Sequence, residues 1–374
     1  MPAPWTTAPV LAALAFALSA ALTYASIGYA RRRRLIDLPG QRRSHAAPTP
    51  RGGGVAIVVA VLLCVGVPIA LWSPDRWPVV LAIVLVAAIG WIDDHRPLAA
   101  GVRFAVHWLA ALIVFAPTLL QFLAAPGAAM EAFSGSFGAI LAAYLVAGLV
   151  VGLVIVWSIN LHNFMDGIDG LLAVQAIFVF AVLAVLLGRH GAPEAAAAAV
   201  VMAAAVAGFV PFNFPHARIF MGDVGSGVLG LLIALVGFAL LGQGTAAVAS
   251  VLIACSAFVV DATATLLSRM LRGRRWYSAH REHLYQWLVR AGRSHAQVVG
   301  LYTGWNLFVV VPVLFWINRL QNIPSSAPEF ASATAPLASG PALLALGGVY
   351  GLGATLWWAG KRGCLRQVRQ RGRR

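Results

Sequence analysis

Long uninterrupted apolar runs separated by short polar links dominate the chain, with no stretch of strict apolar–polar alternation. A membrane-spanning helix needs about 20 mostly apolar residues, because the hydrocarbon core is about 30 Å thick and a helix rises 1.5 Å per residue. Eleven runs meet or approach that length, at roughly 8–30, 53–72, 78–92, 104–123, 139–159, 171–188, 195–212, 225–242, 245–268, 297–317 and 341–360. The third is short and the seventh, from Glu194, is rich in alanine; these two carry the weakest signal. The pattern predicts an all-α polytopic membrane protein with about 11 transmembrane helices. A transmembrane barrel would need period-two alternation instead. No internal repeat and no separate soluble domain is visible. Residues 1–374 therefore read as one transmembrane domain, with polar links at about 31–52, 93–103, 160–170, 213–224 and 269–296.

Composition agrees. The 374 residues are 60% hydrophobic and 10% charged, and net charge is +15; soluble domains carry about 25% charged residues. A soluble globular enzyme, a disordered chain and a disulfide-stapled secreted domain are excluded. Cys64 and Cys255 lie within apolar runs and Cys364 in the tail, so they form neither a metal pair nor an evident disulfide.

The cations orient the spans. If the link after the first run is cytoplasmic, all of the 27 basic residues except Arg76, Arg189 and Arg319 fall on the cytoplasmic side. That is the positive-inside pattern. It predicts a multi-pass membrane protein, N-terminus outside and C-terminus in the cytoplasm. The first run has its cations behind it, Arg31 to Arg34, as a retained helix does rather than a cleaved signal peptide. The basic segments are juxtamembrane and scattered, which points to a membrane surface and not to nucleic acid.

Most acids gather on that same side. Asp37, Asp93, Asp94, Asp166, Asp169, Asp223 and Glu282 fall at cytoplasmic ends or links, and Asp261 lies about two turns inside the ninth run. A transporter would place ionisable groups near the bilayer midplane. Clustering at one interface instead suits an enzyme that joins a lipid to a cytosolic substrate. A transporter of nucleotide sugars or lipid-linked sugars, and a non-catalytic scaffold, are the rival expectations.

Five segments carry the chemistry. In the first, Arg42, Arg43, His45 and Arg51 precede Gly52-Gly53-Gly54 at a helix start. Glycines let a backbone approach an anion there, although a solvated basic loop has the same composition. In the second, Asp93 and Asp94 end the third run. Paired carboxylates bind Mg²⁺ or supply a base, and a helix C-terminus disfavours them without a compensating partner. In the third, Asn163, Asp166 and Asp169 recur at i, i+3 among glycines, so a helical turn or a tight glycine turn would gather them in one pocket. In the fourth, Phe220-Met-Gly-Asp223-Val-Gly-Ser226 leads into the eighth run. Asp223 there suits a hard cation bridging phosphates, and Asp223 or Ser226 also suits an N-cap. In the fifth, His280 and His283 are i, i+3, and Leu284, Trp287 and Leu288 form a stripe expected on a short interfacial helix. His107, His190 and His295 have no supporting context and are expected to be structural or solvated.

In this order, these segments resemble the polyprenyl-phosphate N-acetylhexosamine-1-phosphate transferase family over about residues 31–300, most specifically through Asn163-Phe-Met-Asp-Gly-Ile-Asp-Gly-Leu171 and Phe220–Ser226. The resemblance implies transfer of an N-acetylated sugar-1-phosphate from a UDP-sugar to undecaprenyl phosphate, releasing UMP, as the first step of O-antigen or related envelope glycan synthesis. It implies Mg²⁺ as cofactor, with Mn²⁺ substituting, a bacterial inner membrane and its lipid as surroundings, and leaves a homodimer open. By the same resemblance Asp93 and Asp94 are catalytic, and Asp223 and Asn163 hold the metal. Asp166, Asp169 and Phe220 line the nucleotide pocket, while His45, Arg51, His280 and His283 face the diphosphate or the lipid phosphate. The phospho-MurNAc-pentapeptide branch has a Lys shortly after its aspartate pair and a triple-His run. Here stand His95-Arg96-Pro97 and histidines separated around Glu282, while His280-Arg-x-His283-x-Tyr-Gln286 and Pro48-Thr-Pro-Arg-Gly-Gly-Gly54 resemble the O-antigen-initiating branch, in which Ser often stands where this chain has Glu282.

Overall fold

The computed structural model describes residues 7–38, 47–133, 135–274, 280–321 and 331–371. The apolar runs become helices: α1 (Ala8–Arg32), α2 (Gly54–Trp72), α3 (Trp77–His95), α4 (Ala100–Ala124), α5 (Phe137–Met165), α6 (Leu171–Arg189), α7 (Pro193–Asn213), α8 (Asp223–Phe238), α9 (Thr245–Ala254), α10 (Ser256–Met270), α11 (Leu284–Arg290), α12 (His295–Leu320) and α13 (Ala331–Arg371). Among the described residues nine helices are long and apolar enough to cross a membrane, and α9 with α10 make a tenth if that pair, bent by 73°, is one span. The eighth run is the shorter, 16-residue α8. The protein is thus an all-α, multi-pass membrane protein.

Three boundaries differ from the sequence expectation in ways that matter. Helix α3 extends through His95, so Asp93 and Asp94 sit on its last turn, 9% and 5% exposed, instead of in a solvated link. Helix α5 runs on to Met165 and puts Asn163 on its final turn, while Asp166 and Asp169 occupy the glycine turn that follows. The pocket therefore uses both geometries left open for that segment. Helix α11 begins after His283, so the two histidines precede it, and its buried residues are Tyr285 and Gln286, not the Leu284-Trp287-Leu288 stripe.

Lipid tails are as apolar as the helices, so close van der Waals packing, and not the hydrophobic effect, must hold the bundle together. Small residues make that contact. The Ala-rich α7 lies along α1, and a Cβ on Gly208 would come 2.3 Å from the Phe16 carbonyl oxygen. Helix α8 is the most enclosed, buried along most of its length between α2, α3 and α5. A Cβ on Gly54 of α2 would sit 2.4 Å from the Gly225 Cα, and one on Gly90 of α3 would sit 2.6 Å from the Asp223 carbonyl carbon. Both glycines thereby bring their helices onto the N-terminus of α8, and α3 arrives with Asp94 one turn beyond the contact.

Two links add their own backbone pairing. Ile36–Asp37 (β1) and Thr49–Pro50 (β2) form a small antiparallel ribbon. The segment before α8 continues it: Phe220 N–H donates to Pro50 O (2.8 Å), and Gly53 and Gly54 N–H donate to Phe220 O and Met221 O (2.9 and 2.8 Å). Residues from the first, second and fourth polar links are in this way drawn to one end of the bundle.

Candidate active site

At that end lies a cleft of about 200 Å³ whose walls carry Asp37, Asp94, Asp166, Asp169 and Asp223. Asn163, Asn213, Ser226 and Gln286 complete much of the polar lining, Phe220 adds an aromatic ring, and Arg51 and His295 are its basic members.

Asp94, with its side chain 1% exposed, accepts the backbone N–H groups of Asp223 (3.1 Å) and Val224 (3.2 Å). It therefore satisfies two of the free donors at the start of α8 from a different helix, with its charge on the favourable end of the helix dipole. Arg51 lies 3.2 Å from Asp94 Oδ1 and donates to the Asp93 carbonyl oxygen at 3.0 Å. That contact supplies the partner which two aspartates at a helix C-terminus require.

Asp93 and Asp223 face one cation. Arg103 Nη1 donates to Asp93 Oδ2 at 3.0 Å and to Asp223 Oδ2 at 2.6 Å, and Asp93 Oδ1 also accepts the Leu98 N–H at 2.7 Å. Asn163 donates to Ser226 Oγ at 3.1 Å, which holds its amide beside the first turn of α8. Arg103 was not singled out from the sequence, yet it stands in the first turn of α4, where a helix N-terminus disfavours a cation. That sign is the same one that marked the aspartate pair.

The glycine turn is clamped from both sides. Gly170, in the left-handed region at φ 77°, starts α6, and its N–H donates to Asn213 Oδ1 at 2.9 Å. The same Asn213 side chain donates to Ile219 O at 3.0 Å, locking this turn to the segment before α8. Asp169 accepts the Ala217 N–H (3.2 Å) and lies 3.1 Å from His295 Nδ1. His295 was expected to be structural or solvated; the structure instead brings it to the cleft wall opposite Asp169. Burial, reinforced by the charges of Asp223, Asp94 and Asp169, pushes the Asp166 carboxyl up to about 8.

The fifth segment supports this cleft more than it lines it. Asp261 is buried and accepts from Leu284 N–H (2.7 Å), Tyr285 N–H (3.3 Å), Tyr302 Oη (2.6 Å), Trp357 Nε1 (3.0 Å) and Thr265 Oγ1 (3.2 Å). This anchors the start of α11, from which Tyr285 Oη donates to Phe164 O at 2.9 Å and Gln286 reaches the cleft. His283 is 2% exposed and stacks beside Phe164 and Tyr285. His280 lines a second cavity on the other side of α11. Burial, with His283, Arg269 and Lys361 nearby, lowers its imidazole to about 4. Of the predicted site residues, Asp93, Asp94, Asn163, Asp166, Asp169, Phe220, Asp223 and Arg51 thus come together, His280 and His283 stand apart from the cleft, and His45 lies outside the described residues.

Residues 76–241, which include seven of those residues and stop before α9, match the family model for glycosyl transferase family 4. The chain is 32% identical over 322 residues to the decaprenyl-phosphate N-acetylglucosaminephosphotransferase of Mycolicibacterium smegmatis, covering 77% of each chain. Identity is 30% over 320 residues to the enzyme of the same name from Mycobacterium tuberculosis, covering 77% of this chain and 78% of that one. It is 25% over 278 residues to the undecaprenyl-phosphate alpha-N-acetylglucosaminyl 1-phosphate transferase of Escherichia coli, covering 72% and 73%.

Proposed function

The chain belongs to the polyprenyl-phosphate N-acetylglucosamine-1-phosphate transferase family within glycosyl transferase family 4, and from that premise we propose that it transfers an N-acetylated sugar-1-phosphate from a UDP-sugar, UDP-GlcNAc first among them, to undecaprenyl phosphate at the cytoplasmic face of the inner membrane. An oxygen of the lipid phosphate attacks the β-phosphorus of the donor. The bond from that phosphorus to the bridging oxygen breaks, UMP leaves, and the lipid retains a diphosphate-linked sugar. One diphosphate linkage replaces another, so rate must come from positioning and from neutralising charge.

The observation that carries this assignment is the meeting of Asp93 and Asp94 from α3 with Asp223 from α8 on one edge of a cleft that also holds Asn163, Asp166 and Asp169. The donor set is hard oxygen throughout, which suits Mg²⁺ and does not suit a softer metal. No three His, Cys, Asp or Glu side chains among the described residues converge on a single metal position. Mg²⁺ takes one or two carboxylates and completes its shell with water and substrate phosphates. Asp223 and Asn163 would hold it, with Mn²⁺ as a substitute. Bound there, it would neutralise the phosphates between donor and acceptor.

The contacts support the remaining roles. Asp93, balanced by Arg103, orients the lipid phosphate and takes its proton. Asp94 holds the backbone from which Asp223 projects, and Arg51 stands beside it to face the diphosphate. Asp166, Asp169 and Phe220 frame the nucleotide, and His295 fixes Asp169. All of these sit at one end of the bundle, so a midplane transport path is not favoured. The test is transfer of label from [β-³²P]UDP-GlcNAc to undecaprenyl phosphate by membranes containing the chain. Label in the lipid extract is expected; none with UDP-GlcNAc, UDP-FucNAc or UDP-QuiNAc would reject the assignment.

A further inference from the structure

Behind α11 the structure holds a second, larger cavity of about 530 Å³, enclosed by the end of α10, the start and outer face of α11 and the last turns of α13. Its character is opposite to that of the acidic cleft. Arg269, Arg272, Arg274, Arg281, Arg290, Lys361 and Arg369 line it, and among its described lining residues Glu282 is the one carboxylate. Glu282 is committed to Arg269 and to Arg274, the latter at 2.9 Å. Although burial alone would raise its pKa, Arg274, Arg269 and Lys361 hold its carboxyl below the usual range. One charge cannot balance the rest, and a concave surface of one sign concentrates counter-ions.

The least satisfied member is Lys361. It is 4% exposed, and its ammonium has no hydrogen-bond acceptor among the described residues. Its contact is the face of the Trp357 ring, 4.5 Å away, and the nearby Asp261 carboxylate is already occupied by its five donors. An enclosed ammonium with three donors and no acceptor is costly unless an anion completes it.

The position says which anion. Next to the cavity, at the end of α10, Leu267, Met270 and Leu271 are 51%, 48% and 87% exposed, so apolar side chains point outward beside Arg272. On α13 the exposed Trp358 carries the Arg362 guanidinium 3.6 Å over its ring, an amphipathic pairing suited to the membrane–water boundary. A cationic pocket flanked by outward apolar side chains at the ends of spanning helices matches a phospholipid: phosphate inside, acyl chains along the helices. A soluble phosphate would find the cations but leave the apolar flank unused.

We propose that this cavity is a binding site for the phosphate of an anionic membrane phospholipid, separate from the acidic cleft and held by Lys361 and Arg369 of α13 with Arg272 and Arg290. Because α11 separates the two cavities and supplies Gln286 to the cleft, an occupied lipid site also braces the element that closes the cleft wall.

Binding is read without turnover, so the result is independent of the sugar transfer. The full-length chain in detergent is titrated with phosphatidylglycerol and, separately, phosphatidylethanolamine, and adducts are counted by native mass spectrometry. Phosphatidylglycerol should be retained at least tenfold more tightly. The double variant Lys361→Gln, Arg369→Gln should lose about 25-fold of that affinity, since each near-surface cation contributes about fivefold, whereas Lys361→Arg should keep it. Should the double variant not fold, a phosphatidylglycerol carrying a headgroup diazirine, photolysed on the unaltered protein, should label the peptide containing Lys361 and Arg369. Equal retention of the two lipids, or label elsewhere, would overturn the proposal. So would displacement of the lipid by millimolar inorganic phosphate, which would mark a soluble-anion site instead.

Discussion

Asp94, the penultimate residue of α3, caps the helix that begins with Asp223: its carboxylate accepts the N–H groups of Asp223 and Val224, 129 and 130 positions further along the chain. The link makes the placement of one acidic residue depend on another. Asp94→Ala removes a cap worth about 1 kcal/mol and releases the first turn of α8. Asp94→Asn keeps one acceptor but loses the charge on the helix dipole. We expect the alanine variant to lose about 10²–10³-fold in kcat, as for loss of a positioned charge-stabilising group, and the asparagine variant less. Steady-state kinetics with melting curves would check the order.

Gly222 tests the same contact from the other side. Its φ of 78° is in the left-handed region, and a Cβ there would come 2.5 Å from Asp94 Oδ2. Gly222→Ala pays about 1 kcal/mol in backbone strain and also pushes the capping carboxylate away. Activity should fall at least as far as in Asp94→Asn while expression persists. Wild-type kinetics in this variant would show that the cap is dispensable.

Removal of divalent ions should abolish transfer, and Mg²⁺ or Mn²⁺ should restore it. Asp223→Asn should abolish it irrecoverably, at any Mg²⁺ concentration, whereas a variant with merely weakened metal affinity would recover at high Mg²⁺. Activity against metal concentration separates these outcomes.

The pH dependence of stability follows from Asp166. Without a divalent ion its carboxyl titrates at about 8, against about 3.9 in an unfolded chain. Between those values the folded protein holds a proton that the unfolded chain has released, so stability falls as pH rises toward 8. In chelator, the melting temperature should decline from pH 5 to about 8, and Asp166→Asn should remove that residue's share of the decline. An unchanged slope in the variant would contradict the burial of this carboxyl.

Asp261→Asn should destabilise the chain by about 1–3 kcal/mol, since an amide turns one acceptor oxygen of a five-donor site into a donor and leaves buried groups unpaired. The loss should appear in the melting temperature first and in activity through α11.

The residues legible in the sequence were those whose signal is local. Asp93 with Asp94 violated the helix-dipole rule within one turn, and Asn163, Asp166 and Asp169 shared one period. Long apolar runs likewise exposed the spans, because a bilayer leaves the backbone few alternatives to a helix. What stayed hidden was set by distant partners. Arg103 meets Asp223 across 120 positions and His295 meets Asp169 across 126, and no spacing rule joins them, although both stand in the first turn of a helix. The 73° bend between α9 and α10 falls at Cys255 with neither proline nor glycine to announce it. His280 and His283 stand at helical spacing, but α11 starts only at Leu284; their rings meet at 4.9 Å in the segment before it, His283 buried beside Phe164 and Tyr285 and His280 on the cationic cavity.

The most direct measurement is the stoichiometry of products from the purified chain given UDP-GlcNAc, undecaprenyl phosphate and Mg²⁺. The account predicts one UMP released for each lipid-linked diphosphate sugar formed, with neither product from Asp223→Asn. UMP without the lipid product, sustained turnover by Asp223→Asn, or no reaction with any UDP-N-acetylated sugar would contradict it.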